Sequence, residues 1–364
     1  HRKGNRNMKY DFDEITDRRN TGAMKWNVGG DELPMWVADM DFQTAPEIIE
    51  GLNQRVSHGI YGDTELNEQW YEAYRAWWQK RHGFEIQKEW LLFCTGVVPA
   101  ISSVVRKMTT PAENVVAMTP VYNIFFNSIL NNGRNVLENR LVLKEGNYEI
   151  DFEDLEKKLA DPQTSMLLLC NPHNPVGKIW DRDTLERIGE ICWKHHVLVL
   201  SDEIHCDLTA PGSEYIPFAS VSEKCRKNSI ICVAPTKAFN LAGLQTAAVI
   251  VPDENIRYKV NRGLNTDEVA EPNILAAIAP AAAFEKGEPW LDELREYLFE
   301  NRRYAENFIT DQIEGIRPVS ADATYLLWLD CRGLLGNSSE LCRFLRAYTG
   351  LILSDGREYR DGGG

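Results

Sequence analysis

From Leu91 onward the chain alternates short apolar runs with amphipathic stretches, and this alternation limits the fold more than any other feature of its 364 residues. NVVAM is followed by VYNIFFNSILNN, NVLENRLVL by DFEDLEKKLA, and SMLLLC by DTLERIGEICWKHH; VLVLSDE, SIICVA and AAVIVP continue the set. Runs that are apolar along their whole length, rather than at every second residue, are predicted to be strands buried on both faces. Such strands separated by helices form a mostly parallel sheet covered by helices on either side. This is an α/β fold, whose ligands bind beyond the carboxyl ends of the strands.

The flanking regions read differently. The first 45 residues are irregular but hold the apolar string LPMWVADMDF, and an arm carrying Met35, Trp36 and Phe42 is expected to pack on something. PEIIEGLNQRVSHG and ELNEQWYEAYRAWWQKRHG space apolar residues three and four apart and end in glycine, as amphipathic helices with C-caps do. Past Asn265 three helical stretches follow, the longest over roughly residues 288–311, and ATYLLWLD reads as a strand of a smaller domain. The expected division is an arm over residues 1–45 that joins the small domain, a large domain over 46–280, and a small C-terminal domain over 281–364.

Composition excludes some roles. With 40 Lys+Arg against 54 Asp+Glu the net charge is −14, which disfavours gripping nucleic-acid phosphates or an anionic membrane. No apolar stretch has the ~18 residues a membrane span needs, and the start HRKGNRNMKYDF lacks the apolar core of a secretory signal, so a cytoplasmic protein is expected. The eight cysteines show no C-x-x-C pairing and several lie inside apolar runs. They are expected to be reduced buried thiols, not disulfides or a metal site. His195 and His196 close a helical stretch and read as charges at its C-terminus.

Three polar groups follow three of the apolar runs. Asn171 follows SMLLLC and opens NPHNPVG, Asp202 follows VLVLS in SDEIHCDL, and Lys237 follows SIICVAP in PTKAFNLAGLQ. All three are therefore expected on one rim of the sheet. A lysine amine condenses with an aldehyde to a Schiff base, and an aldehyde cofactor held that way needs a carboxylate at its pyridinium nitrogen to act as an electron sink. Lys237 and Asp202 suit those two roles. An anionic cofactor in so acidic a chain needs a local device, and TGVVPAISSVVRKM offers the free amides of Gly96, Val97 and Val98 at a helix start, although every helix has such a start. Thr236 could add a hydroxyl. The Tyr122 ring could lie on a flat heterocycle or simply pack in the core, and NPHNPVG could aim the Asn174 amide at a ligand oxygen or be a plain connecting turn. His205 could approach the same oxygen or be a buried structural histidine.

On NPHNPVG, SDEIH and the lysine segment, the chain from about Tyr10 to Tyr359 resembles the fold-type I pyridoxal-phosphate enzymes of the aminotransferase class I and II superfamily. On PMWVADMDF, GVVPA, DEIH and KAFNLAGLQ it looks like their carbon-sulfur lyases, the cystathionine β-lyase and cystalysin group. Typical aminotransferases carry tyrosine where this chain has His205, and often a basic residue where it has Gln245. The resemblance implies an aspartate aminotransferase-like fold with a seven-stranded type of sheet. It also implies that Lys237 binds the aldehyde of pyridoxal 5'-phosphate, Asp202 pairs with the pyridine nitrogen, Asn174 bonds the ring hydroxyl and Tyr122 stacks on the ring. The amides of Gly96 to Val98 with Thr236 would hold the phosphate. Tyr61, in HGIYGDTE, matches a tyrosine that reaches the phosphate of the neighbouring subunit, which implies a homodimer with shared active sites. The family normally continues past REYRDGGG into a segment whose arginine takes the substrate carboxylate; Arg357 and Arg360 do not match its position, and an incomplete C-terminal end is the expected reason.

The implied reaction is α,β-elimination from cystathionine or a cysteine-type amino acid, giving thiol, pyruvate and ammonia, with the freed lysine taking the Cα proton. An aminotransferase on the same scaffold shares the early steps. A cofactor-binding regulatory protein with vestigial catalysis is a further alternative, and one fold hosts many chemistries.

Overall fold

A computed structural model describes residues 8–360. The first seven residues, read above for a leader's apolar core, and the last four, the glycine-rich end, lie outside the described part. In chain order the arm carries β1 (Leu33–Pro34), followed by helices α1 (Pro46–Ser57) and α2 (Glu68–His82). Then come β2 (Leu91–Cys94), α3 (Val97–Met108), β3 (Asn114–Thr119), α4 (Ile124–Leu130) and β4 (Asn135–Arg140). A small hairpin of β5 (Val142–Lys144) and β6 (Asn147–Glu149) precedes α5 (Phe152–Leu159), β7 (Thr164–Cys170), α6 (Arg182–Lys194) and β8 (Leu198–Asp202). Next are α7 (Glu223–Lys227), β9 (Ser229–Val233), β10 (Ala247–Ile250), α8 (Glu254–Thr266), α9 (Ile274–Lys286) and α10 (Glu288–Gln312). The C-terminal part holds β11 (Arg317–Pro318), β12 (Leu329–Asp330), α11 (Ser338–Thr349) and β13 (Leu351–Ile352).

Seven strands form one sheet in the order β2-β10-β9-β8-β7-β3-β4, parallel throughout the β9 to β4 side, with β10 antiparallel to both its neighbours. The whole-length apolar runs explain this. Along β7, Leu167 and Leu169 enter one buried cluster while Met166, Leu168 and Cys170 enter a second on the other face, so neither face can be left to water. Each such side chain contributes about 1.5–3 kcal/mol by leaving water. On one side α2 buries Trp70, Tyr74, Trp77 and Trp78, and Phe284 of α9 stacks on Trp77 with ring centroids 4.9 Å apart. On the other, α3 packs on α4 and α8.

Helix starts follow their caps. Asp151, Asp181 and Asp253 each accept a backbone N–H three residues on, at 3.0, 2.8 and 2.9 Å, which stabilises a helix by about 1 kcal/mol apiece. The helix α3 departs from this pattern, because its cap is Gly96 and no side chain covers its first amides.

Several expectations need correction. ATYLLWLD is strand only at Leu329–Asp330: Thr324 has φ +68°, and the carbonyls of Thr324 and Leu326 accept from Arg302 instead of a neighbouring strand. NVLENRLVL breaks after Arg140 into β4 and the separate β5, and α4 stops at Leu130 without filling VYNIFFNSILNN. The helix α1 is capped by His58, one residue before the glycine. In the arm, Phe42 packs against Phe12 and Tyr297, but Met35 and Trp36 stay 63% and 41% exposed on this chain. His195 does cap α6, and its Nε2 lies 3.3 Å from Glu156. All eight cysteines are free and six are buried. Among the described residues no helix is long and apolar enough to cross a membrane.

One glycine fixes a loop at the rim. Gly177, which ends NPHNPVG, has φ +72°, and a Cβ there would lie 2.6 Å from both the Ala321 Cβ and the Ala323 carbonyl oxygen. Its own carbonyl accepts from the amides of Asp322 and Ala323. Gly177→Ala combines a left-handed backbone with overpacking and is expected to lower stability by about 2–4 kcal/mol. A urea midpoint equal to that of the parent chain would contradict this.

Candidate active site

The three motifs meet on adjacent strands. Cys170, Asp202 and Cys232 stand opposite one another in the register of β7, β8 and β9, so Asp202 is flanked by two small thiols at the carboxyl rim. Asp202 is 4% exposed, and its Oδ1 accepts only the Ile204 amide, at 3.1 Å. Among the described residues no cation lies within ion-pair distance. Burial therefore pushes its carboxyl up to about 6, against the pull of the Ile204 amide and the Lys237 charge. Glu203, the next residue, projects to the opposite face. There Tyr215, Asn171, Ser201 and the Phe218 amide all donate to its carboxylate, and burial still raises it to about 7.

Lys237 lies four residues beyond β9, in a turn closed by bonds from Phe239 N to Pro235 O and from Leu241 N to Thr236 O. Its Nζ donates to the Ala38 carbonyl at 2.7 Å. Burial lowers its pKa, with Asp39 and Asp202 opposing. Lysine and aspartate, close enough to act on one another's charge, are thus both pushed toward neutrality by burial, a pattern common at sites of proton transfer.

Asn174 and His205 complete the centre. The Asn174 Nδ2 lies 3.4 Å from His205 Nε2, both residues are buried, and Asn174 Oδ1 and His205 Nδ1 have no hydrogen-bond partner. Burial, reinforced by the Lys237 charge, lowers His205 to about 3, so the ring is neutral. The Asn174 carbonyl accepts the Tyr122 amide at 3.0 Å, which ties Tyr122 to the NPHNPVG loop; the Tyr122 ring meets Phe125 edge-on, and burial raises its hydroxyl to about 12. Thr236 is buried next to the lysine, and Gly96 to Val98 form the uncovered start of α3. Tyr61 is the candidate this chain does not bring in. It is 61% exposed and its hydroxyl turns back to Val56 O at 2.7 Å.

Sequence reasoning missed the arm's part in the site. Asn240, three residues past the lysine, has φ +56°, donates to the carbonyls of Met40 and Phe42, and accepts the Met40 amide, binding VADMDF beside Lys237. Asp39 and Asp41 are gripped by Arg18, and Lys25 bonds Asp41. Tyr325 reaches Ala38 O from the C-terminal part at 2.8 Å. The apolar density of the arm hinted at packing, but nothing in the spacing marked Asn240 or Tyr325.

A seven-stranded, mostly parallel sheet with a half-buried lysine and a buried carboxylate lacking a cation partner at its rim is an aspartate aminotransferase-like architecture. The chain belongs to the aminotransferase class I and II family, whose sequence profile matches residues 34–361. It is 42% identical over 358 residues to cystathionine beta-lyase PatB of Bacillus subtilis, covering 97% of this chain and 92% of that protein. Cystalysin of Treponema denticola, whose structure contains pyridoxal 5'-phosphate, superposes with a TM-score of 0.95 at 34% identity, covering 98% of this chain and 92% of that one. The pyridoxal-phosphate-bound C-S lyase of Staphylococcus hominis gives 0.89 at 31% identity, covering 98% and 92%.

Proposed function

We propose that this chain is a pyridoxal-phosphate-dependent carbon-sulfur β-lyase that cleaves cystathionine or related cysteine-type amino acids to thiol, pyruvate and ammonia. The observation that carries the reading is the half-buried Lys237, whose Nζ donates to the Ala38 carbonyl, near the buried Asp202, whose carboxylate accepts the Ile204 amide and has no cation within ion-pair distance among the described residues. The pocket's polar groups fit the cofactor. Asp202 is the buried acceptor a ring N–H needs, and the partnerless Asn174 Oδ1 and His205 Nδ1 are polar atoms able to meet a ring substituent. The first amides of α3 and the Thr236 hydroxyl would take the phosphate, and Tyr122 would lie on the ring.

Bound there, pyridoxal phosphate supplies an aldehyde for amines and a cationic ring that draws electrons from the substrate Cα. Lys237 Nζ would hold the aldehyde, and the same Nζ, once free and neutral, would be the base that takes the substrate Cα proton. Burial makes this feasible, since an ordinary lysine holds its proton to about pH 10.4. Asp202, when ionised, would be the partner that keeps the ring nitrogen protonated. That chemistry would let the Cβ–S bond break with its electron pair going to sulfur, which takes up a proton to leave as thiol, while one water would convert the three-carbon remainder to pyruvate and ammonia. The neutral His205 keeps a second positive charge away from the ring.

The same proposal includes a homodimer in which Tyr61 of one protomer meets its partner's cofactor phosphate, and its exposure on the single chain supports this. It also includes the division of the chain at residues 45 and 280, for which the parallel pairing of β1 with β13 gives support by joining arm to C-terminal part, and a cytoplasmic location. Purified protein with cofactor and cystathionine, and no keto acid, is expected to release thiol and pyruvate in equal amounts. A strict requirement for a keto-acid acceptor would overturn the lyase reading.

A further inference from the structure

The proposed chemistry needs the Lys237 amine both bound and free, and the structure records where the free amine rests. Its Nζ donates to the Ala38 carbonyl oxygen at 2.7 Å, and the Tyr325 hydroxyl donates to the same oxygen at 2.8 Å. We propose that Tyr325 is a positioning residue for Lys237: by sharing the Ala38 carbonyl it fixes the amine's resting place and weakens the amine's hold on its proton. This rests on the reading of Lys237 as the lysine that serves the cofactor.

A carbonyl oxygen has two lone pairs, and here both are taken. A hydrogen bond to the charged form of a group stabilises that form, so anything that competes for the acceptor weakens the stabilisation. The hydroxyl hydrogen of Tyr325 is such a competitor. It carries partial positive charge toward the oxygen that the ammonium also faces. Tyr325 remains a donor throughout the working range, because burial first, then Asp39 and Tyr122, hold its hydroxyl well above the usual tyrosine range. The other groups facing Lys237 are Asp39 from the arm, Asp202 from β8 and the neutral His205, whose ring lies edge-on to Tyr325 at 6.2 Å. Asp39 is itself bonded to Arg18, with Lys25 3.8 Å away, so its pull on the lysine is shared.

The arm does not depend on Tyr325 for its place. Asn240 holds Met40 and Phe42 by three hydrogen bonds, and Arg18 and Lys25 hold Asp39 and Asp41. Removing the hydroxyl therefore alters the environment of the amine more than the fold. The span is long, since Ala38 and Tyr325 are 287 residues apart, and the amine's environment is set by the arm meeting the C-terminal part.

The test follows modification of Lys237 by an amine-selective reagent against pH, in the intact chain stripped of cofactor, with the labelled peptide quantified by mass spectrometry. In the parent chain Lys237 is expected to titrate below the ordinary lysine value of about 10.4. Tyr325→Phe is expected to raise that value by about half a unit to one unit, the equivalent of one net hydrogen bond, with circular dichroism unchanged. In the loaded enzyme the acid limb of kcat should move up by the same amount, while KM holds. An unshifted Lys237 titration in Tyr325→Phe would overturn the proposal. So would a parent Lys237 that titrates at or above the ordinary value, which decides the matter even if the variant does not fold. Failure of the lyase reading has a different signature: no thiol release, with the titration shift intact.

Discussion

Lys237→Ala is expected to lower pyruvate release from cystathionine by at least about a thousandfold, because one atom is lost from two roles, covalent attachment and Cα proton transfer. The same variant should lose the visible absorbance of lysine-bound cofactor. Its fold should persist, since the amine is held by a single carbonyl, which keeps Tyr325 as a donor. Lys237→Arg separates charge from nucleophilicity. It restores a cation near Asp202 but no amine that can capture an aldehyde, so it should be as inactive as alanine. Either variant releasing thiol at near the parent rate would refute the assignment.

Asp202→Ala carries the next largest effect. A buried carboxylate paired with a ring cation contributes about 3–5 kcal/mol when one partner is removed, which predicts a loss of about two to three and a half orders of magnitude in turnover or cofactor affinity. The pH dependence has a definite sign. Without cofactor, burial holds the Asp202 carboxyl up at about 6, above its ordinary 3.8. A cationic ring nitrogen favours the ionised form and brings the pKa down, so binding below pH 6 must expel a proton. Cofactor affinity is therefore expected to be flat above about pH 6 and to fall as pH drops below it. Asp202→Asn cannot ionise and should abolish that fall. A parent affinity that rises on acidification through this range would contradict the account, as would an identical profile in Asp202→Asn.

The sheet was legible because its inner strands are apolar at most positions, and burial on two faces is what uses such a run; the edge strand β4, NVLENR, is mostly polar. Placing Asn171, Asp202 and Lys237 at the ends of three runs put them on one rim. That β7, β8 and β9 are neighbours, with Asp202 in register between Cys170 and Cys232, came only from the fold. Failures cluster where long-range contacts override local pattern. ATYLLWLD has strand-like residues, yet Arg302 claims its carbonyls, and Ala38 and Tyr325 have no local signature because each matters through a residue 199 or 287 positions away. Met35 and Trp36 remain 63% and 41% exposed, because the described residues of their own chain cover them only in part.

The measurement that tests the central claim most directly is borohydride reduction of the purified protein loaded with pyridoxal phosphate, followed by peptide mapping. A single pyridoxyl group on Lys237, absent in Lys237→Ala and diminished in Asp202→Ala, is the predicted result. A pyridoxyl group on a different lysine, or none at all in the parent chain, would contradict it.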